Sequence, residues 1–114
     1  MWVYTEYGMV SIVKDYDNPK NVLVRARDGN TLPALIEHAS LYVTQEHTPE
    51  RDYHYRISID KAAAQFILMS LLRDMEYTNF KGHLHRTQRL SRLHRTIYED
   101  VYYAALPLSD EDDD

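Results

Sequence analysis

The chain has 114 residues and no cysteine, which allows one domain with a modest core and excludes a disulfide framework or a thiolate metal centre. Its formal charge of −5 is gathered at one end: Asp110 to Asp114 are all acidic, and removing those five from 18 Asp and Glu leaves 13, against 13 Lys and Arg. The three glycines, at 8, 29 and 82, cannot form a glycine-rich phosphate loop, and the longest apolar block, Ala62 to Leu72, is too short to span a bilayer.

Trp2 to Lys14 is rich in Val, Ile and Tyr and alternates loosely, which predicts a strand with a bulge or bend at Gly8. Asp15 to Asn21 is a turn by composition, with Asn18-Pro19 at its centre. Val22 to Arg27 predicts a second strand, antiparallel to the first because the connection is too short for a crossover. Asn30 or Thr31 is placed to cap a short helix, Leu32 to about Ala39, with Pro33 in its first turn. Leu41 to Val43 suggests a brief strand and Thr48 to Arg51 a turn.

Tyr53 to Ile59 is the clearest strand: Tyr53, Tyr55, Ile57 and Ile59 alternate with His54, Arg56 and Ser58. Asp60 is placed to cap the next helix, Lys61 to about Glu76. Ala64, Ile67, Leu68, Leu71, Leu72 and Met75 fall on one side of it, with Phe66 and Met69 broadening the stripe, so the helix is expected to be largely buried. A last long helix is predicted from Leu84 to Leu106, with Leu90, Leu93, Ile97, Val101 and Ala104 as its inward stripe and Pro107 at its end. The whole predicts an α+β fold. A small, mostly antiparallel sheet in ββαβαα order carries helices on one face. Residues 1–107 make a single domain, and 108–114 a disordered acidic tail.

Burying Ile57 and Ile59 sends His54 and Arg56 to the open face of such a sheet. Burying Val22, Val24 and Ala26 sends Arg25 and Arg27 there too, and burying Val10 and Ile12 adds Tyr7 and Ser11. Guanidinium forks suit phosphate and carboxylate, and a neighbouring aromatic can stack a base. The ordinary alternative is a solvated face whose arginines pair with Glu6, Asp28 or Asp52. A second basic region runs from Asn79 to Tyr98, free of Asp and Glu and containing Lys81, Arg86, Arg89, Arg92 and Arg95. It suits an acidic partner or nucleic-acid backbone; as an ordinary solvated helix, Arg95 pairs with Glu99 one turn on. His83, His85 and His94 make a poor metal site, since positions two apart on a helix diverge and no carboxylate is near in sequence. No cofactor is implied.

Four motifs, Tyr7-Gly8 with Ser11-Ile12-Val13, Val24 to Arg27, Asp52 to Arg56 and Tyr77 to Lys81, resemble in this order a family of small uncharacterised proteins of bacteria and their phages. The resemblance spans residues 1 to about 81. It implies no catalytic residues, and it makes a mobile-element role conceivable, such as inhibition of a host nucleic-acid enzyme. The expected function is that of a small non-enzymatic binding protein for an acidic or nucleic-acid-associated partner. The expected contacts are Arg25, Arg27, His54, Arg56, Lys81, Arg86, Arg89 and Arg92. A metal-independent, nuclease-like hydrolase with a His/Arg site is one alternative. A structural dimer sharing the stripe of the last helix is another. With no signal peptide evident at the N-terminus, a cytoplasmic monomer or homodimer without a membrane partner is expected.

Overall fold

The first strand turns back on itself. In the computed structural model, which describes residues 1–111, β1 (Trp2–Thr5) and β2 (Gly8–Lys14) form an antiparallel hairpin, where one bent strand was expected. The turn is fixed locally. The Thr5 hydroxyl donates to the Gly8 carbonyl at 2.7 Å and accepts from the Tyr7 N–H at 3.0 Å. Gly8 has φ of +138°, a conformation that L side chains rarely adopt. A methyl group there would lie 2.0 Å from Thr31 Oγ1, so Gly8 is needed both for its backbone and for room.

The predicted Asp15–Asn21 turn leads into β3 (Asn21–Ala26). It is closed by Asp15 N–H to the Asn21 carbonyl at 3.1 Å and by Asn21 N–H to the Asn18 carbonyl at 2.9 Å. Next comes α1 (Thr31–His38). Asn30 is its N-cap residue but its side chain makes no capping bond; instead the Asp28 carboxylate accepts from the N–H groups of Asn30 and Thr31, each at 3.0 Å, and from the Thr31 hydroxyl. One acceptor thus serves two early donors of the helix. The brief strand is β4 (Glu46–His47), a few residues later than the expected Leu41–Val43. Leu41 and Val43 instead lean on the core. The clear strand is β5 (Tyr55–Asp60), and it runs without a loop into α2 (Lys61–Arg73), where Asp60 Oδ1 accepts from Ala63 N–H at 2.7 Å.

The sheet order is β1-β2-β3-β5-β4, antiparallel throughout, so the α+β class with a small antiparallel sheet holds. Val10, Val24, Ala26 and Ile57 on one sheet face pack with Leu32 and Leu35 of α1 and Ala64 and Ile67 of α2. Burial of such side chains is worth roughly 1.5–3 kcal/mol each. The core face of α2 is narrower than expected. Ala64, Ile67 and Ser70 are buried, while Leu72 is 68 % exposed and Met69 and Met75 are also open. Ser70 sets this phase. Its hydroxyl can be buried because it donates to the Ile67 carbonyl at 2.8 Å and meets His38 of α1 at 3.1 Å.

The chain divides into two compact units, Met1–Glu76 and Tyr77–Asp114. In the second, the expected long helix is broken. α3 (Phe80–Thr87) is capped by Asn79 Oδ1, which accepts from Gly82 N–H at 2.9 Å, and it stops at Gln88, whose φ is +49°. The left-handed residue ends the helix. Ser91 then caps α4 (Arg92–Ala105) by accepting from His94 N–H at 3.2 Å. The break resets the phase of α4. Tyr98 is buried and stacks on Phe80 at 6.0 Å, whereas Leu93 is 69 % exposed, and Ile97 and Val101 of the expected inward stripe are exposed with it. After Pro107, Leu108–Glu111 forms a single helical turn, α5. Residues 112–114, where the disordered tail was also expected, lie outside the described residues. Among the described residues no helix is long and apolar enough to cross a membrane.

The Gly8–Thr31 contact gives a stability test. Gly8→Ala is expected to cost about 1–3 kcal/mol in urea unfolding. In a Thr31→Ala background the cost should shrink without vanishing, because the positive φ remains unfavourable after the hydroxyl and methyl are gone.

Candidate anion-binding face

The sheet register builds this site. Ser11 pairs with Arg25, and Arg25 with Arg56, across β2, β3 and β5. Opposite residues on neighbouring strands share a face. Val24 and Ile57, one step along, are buried on the other side, so the two arginines stand together on the face away from α1 and α2. Continuing the row outward, Trp2 pairs with Ser11 and Glu46 pairs with Arg56.

Each guanidinium is held by uncharged groups. Arg25 Nη2 donates to Ser11 Oγ at 2.8 Å, and its Cζ lies 4.6 Å from the Tyr53 ring centre. Arg27, just beyond β3, lies 4.3 Å from the same ring and donates to the Asp52 carbonyl at 2.9 Å. Arg56 Nε donates to Thr48 Oγ1 at 3.1 Å, and Nη2 to the Tyr53 carbonyl at 3.3 Å. Tyr53 is therefore the shared anchor of all three. It was expected on the buried side with Ile57, but it precedes β5, in the irregular Thr48–His54 segment, where strand alternation does not apply. Two arginines over one ring gain cation–π attraction, while their mutual repulsion stays.

Among the described residues, none of the three arginines forms an ion pair; Arg73–Asp74 and Lys81–Glu99 do, and His38 Nε2 lies 3.0 Å from Asp74. Glu46 stands opposite Arg56 in the row and still makes no ion pair with it. Arg25 Nε is buried without a hydrogen-bond partner among the described residues. Asp52 offers Arg27 its backbone carbonyl, and the Asp28 carboxylate accepts from the start of α1.

Other expected members fall elsewhere. His54 precedes β5 with an exposed side chain, and its carbonyl accepts from Thr48 N–H at 2.6 Å. Tyr7, expected on the open face, sits in the β1–β2 turn and packs against the core, its ring 5.3 Å from that of His38. Lys81 is neutralised by Glu99 at 3.2 Å and lies 5.4 Å from the Tyr103 ring centre. The bond to Glu99 raises the Lys81 ammonium above its ordinary value. Arg95, expected to take Glu99, instead donates to the Leu90 carbonyl at 3.2 Å. Arg86 on α3 and Arg92 at the start of α4 are exposed, and Arg89 lies in the connection between those helices. Among the described residues no cluster of three metal-ligating side chains is present. His83 stacks on Tyr77 at 4.6 Å, and His94 Nδ1 meets Ser91 Oγ at 2.7 Å.

A Ser–His–Asp sequence of contacts does occur. Ser70 Oγ meets His38 Nδ1, and His38 Nε2 lies 3.0 Å from Asp74. Ser70, however, is 0 % exposed and its hydroxyl donates to a carbonyl, so no substrate reaches it. The set ties α1 to α2. The Asp74 carboxyl is held below its ordinary value by its bonds from Arg73, both at 3.0 Å, with His38 a smaller influence.

Beside the arginines, Asp15 is buried near the end of β2 and accepts from Ser58 Oγ at 2.5 Å and from Asp17 N–H at 3.0 Å. Asn21 Nδ2 donates in turn to Ser58 at 3.0 Å. These bonds, that from Ser58 first, lower the Asp15 carboxyl below its ordinary 3.8, and the charge of Arg56 contributes last.

Trp2, Thr48 and the site role of Tyr53 escape sequence reasoning. Read as one strand with Val10 and Ile12, Trp2 shares their buried parity; the hairpin turn moves it to the open face. No protein-family model matches the chain, and no curated protein or solved structure matches it.

Because Asp15 is lowered in the folded state, its contribution to stability is full above about pH 3.8 and is lost as pH falls through the folded value. The stability difference between wild type and Asp15→Asn should stay level from neutral pH to about pH 4 and narrow below it, as measured by urea unfolding across pH.

Proposed function

We propose that the chain is a small non-enzymatic binding protein that engages an acidic or phosphate-bearing partner through Arg25, Arg27 and Arg56. One observation carries this reading: Arg25 and Arg56 are cross-strand neighbours, and among the described residues neither forms an ion pair with a carboxylate. Like charges directly opposite each other destabilise a sheet by roughly 0.2–1 kcal/mol. A bound anion converts that cost into a gain, and guanidinium forks are shaped for phosphate and carboxylate oxygens. The donors are already positioned by Ser11, Thr48 and Tyr53, so little side-chain entropy remains to be lost on binding. Arg86 and Arg92 add positive charge in the second unit, and Lys81 adds less because Glu99 pairs with it. The motif resemblance extends the proposal to an inhibitor carried by a phage or mobile element and directed at a host nucleic-acid enzyme, acting in the cytoplasm.

Exposure of Leu93, Ile97 and Val101 on α4 favours a second reading, a homodimer through that helix. The basic residues of α4, Arg92 and Arg95, lie in its first turns, and Glu99 and Asp100 follow them. An antiparallel pairing of two α4 helices sets each basic start beside the partner's acidic half. It relieves the unfavourable positive charge at the helix N-terminus and buries the stripe around a two-fold axis. One helix face is small beside the about 800 Å² per partner of a standard interface, so the dimer belongs in the micromolar range.

Inorganic polyphosphate tests the charge reading without bases or side chains. The wild type should bind it at low salt and release it as salt rises. Arg25→Ala and Arg56→Ala should each weaken binding about tenfold or more, with circular dichroism confirming their folds. Unchanged binding in both variants excludes this face. For the second reading, light scattering across protein concentration should show a dimer that Ile97→Asp abolishes; a wild-type monomer at the highest concentrations removes it.

A further inference from the structure

The row across the sheet holds more than charge. From β1 inward it reads Trp2, Ser11, Arg25, Arg56. Trp2 is 68 % exposed and is the chain's one tryptophan. A side chain of this size is usually well buried, and its neighbours show that it is on the open side: Val3, the next residue, packs against the core. Ser11 between Trp2 and Arg25 is small and fully buried, which leaves the indole and the guanidiniums as the raised features of the row. Neighbouring strands lie about 5 Å apart. The backbone at Trp2 therefore runs about 10 Å from the Arg25 strand, and Arg56 lies one strand further on.

An acidic peptide would use the arginines and leave the indole idle. A nucleotide chain uses both, because every base has a flat face to stack and every linkage an anion to pair. A duplex keeps its bases stacked inside, so an aromatic on an open sheet face reaches only unpaired ones. We infer that the ligand of this face is single-stranded nucleic acid, with Trp2 as the stacking platform for a base and Arg25 and Arg56 as the phosphate contacts. The inference rests on the anion-binding reading above and adds the class of ligand to it. Arg25 keeps donors beyond the one given to Ser11, and Arg56 beyond the two given to Thr48 and Tyr53, since a guanidinium carries five N–H groups.

The single tryptophan makes the test direct. A 15-nucleotide oligothymidylate is titrated into the full chain at low salt while Trp2 fluorescence is followed. Inorganic polyphosphate of equal charge and a duplex of equal length serve as comparisons, with anisotropy of labelled ligands as a second readout. Oligothymidylate should quench Trp2 and polyphosphate should not. Trp2→Ala should weaken oligothymidylate binding by about 5- to 100-fold and leave polyphosphate binding unchanged, whereas Arg56→Ala should weaken both. The slope of log K against log salt should lie near −1.4 for the two phosphate contacts on a single strand, at about −0.7 each. If oligothymidylate binds Trp2→Ala as tightly as wild type, or the duplex binds as tightly as the single strand, the stacking inference falls while the anion-binding reading stands. If neither oligothymidylate nor polyphosphate binds at low salt, both fall.

Discussion

Side-chain alternation in β3 and β5 governs the molecule's most distinctive face. Val24 and Ile57 must meet α1 and α2 for the first unit to have a core, and they are cross-strand partners. Their neighbours Arg25 and Arg56 are then forced together on the other side, and no shift of register by one residue separates them without exposing the core. The cationic pair is thus a direct corollary of apolar packing. Among the described residues no carboxylate forms an ion pair with it.

What the chain supplies instead is scaffolding. Tyr53 lies under Arg25 and Arg27 and offers its carbonyl to Arg56. Thr48 links the two parts, donating to the Tyr53 carbonyl at 3.1 Å while accepting from Arg56. An irregular segment of a few residues therefore fixes three long side chains that would otherwise sweep through solvent. At the other end of the sheet, the Asp15–Ser58–Asn21 bonds join the β2–β3 turn to β5. Hydrogen bonds thus hold the face at both ends, and the arginines lie between them.

The alternation of Val22, Val24, Ala26, Ile57 and Ile59 was legible in the sequence, and with it the sheet and the placement of Arg25 and Arg56. So was Asp60, whose capping role needs only local geometry. The failures share a cause: each required knowing where an element stops. A turn at Glu6–Tyr7 exchanges the faces of Trp2 and Tyr7, which moves one aromatic onto the surface and the other into the core. A left-handed Gln88 splits the last helix and rotates Leu93 and Ile97 outward. Gly8 marked the first break but only as a bulge or bend, not as a reversal of the chain, and Gln88 is not a usual turn marker. Tyr53 departs for a related reason, since parity counted back from Ile57 runs past the start of β5. Ser70 lies outside the apolar stripe read for that helix, and the meeting of α1 and α2 explains why its hydroxyl is buried.

The fit of Thr31 over Gly8 also orders the assembly of the first unit. Those residues are separated in sequence by all of β2 and β3, and the pairing of those two strands brings the hairpin turn beside the start of α1. Closing so large a loop has an entropic cost before any packing is gained. A meander already paired in outline shortens the loop that seating α1 has to close. The tight glycine contact acts as a check that the meander has paired in register: one slipped by a residue would present a side chain where Thr31 needs a gap.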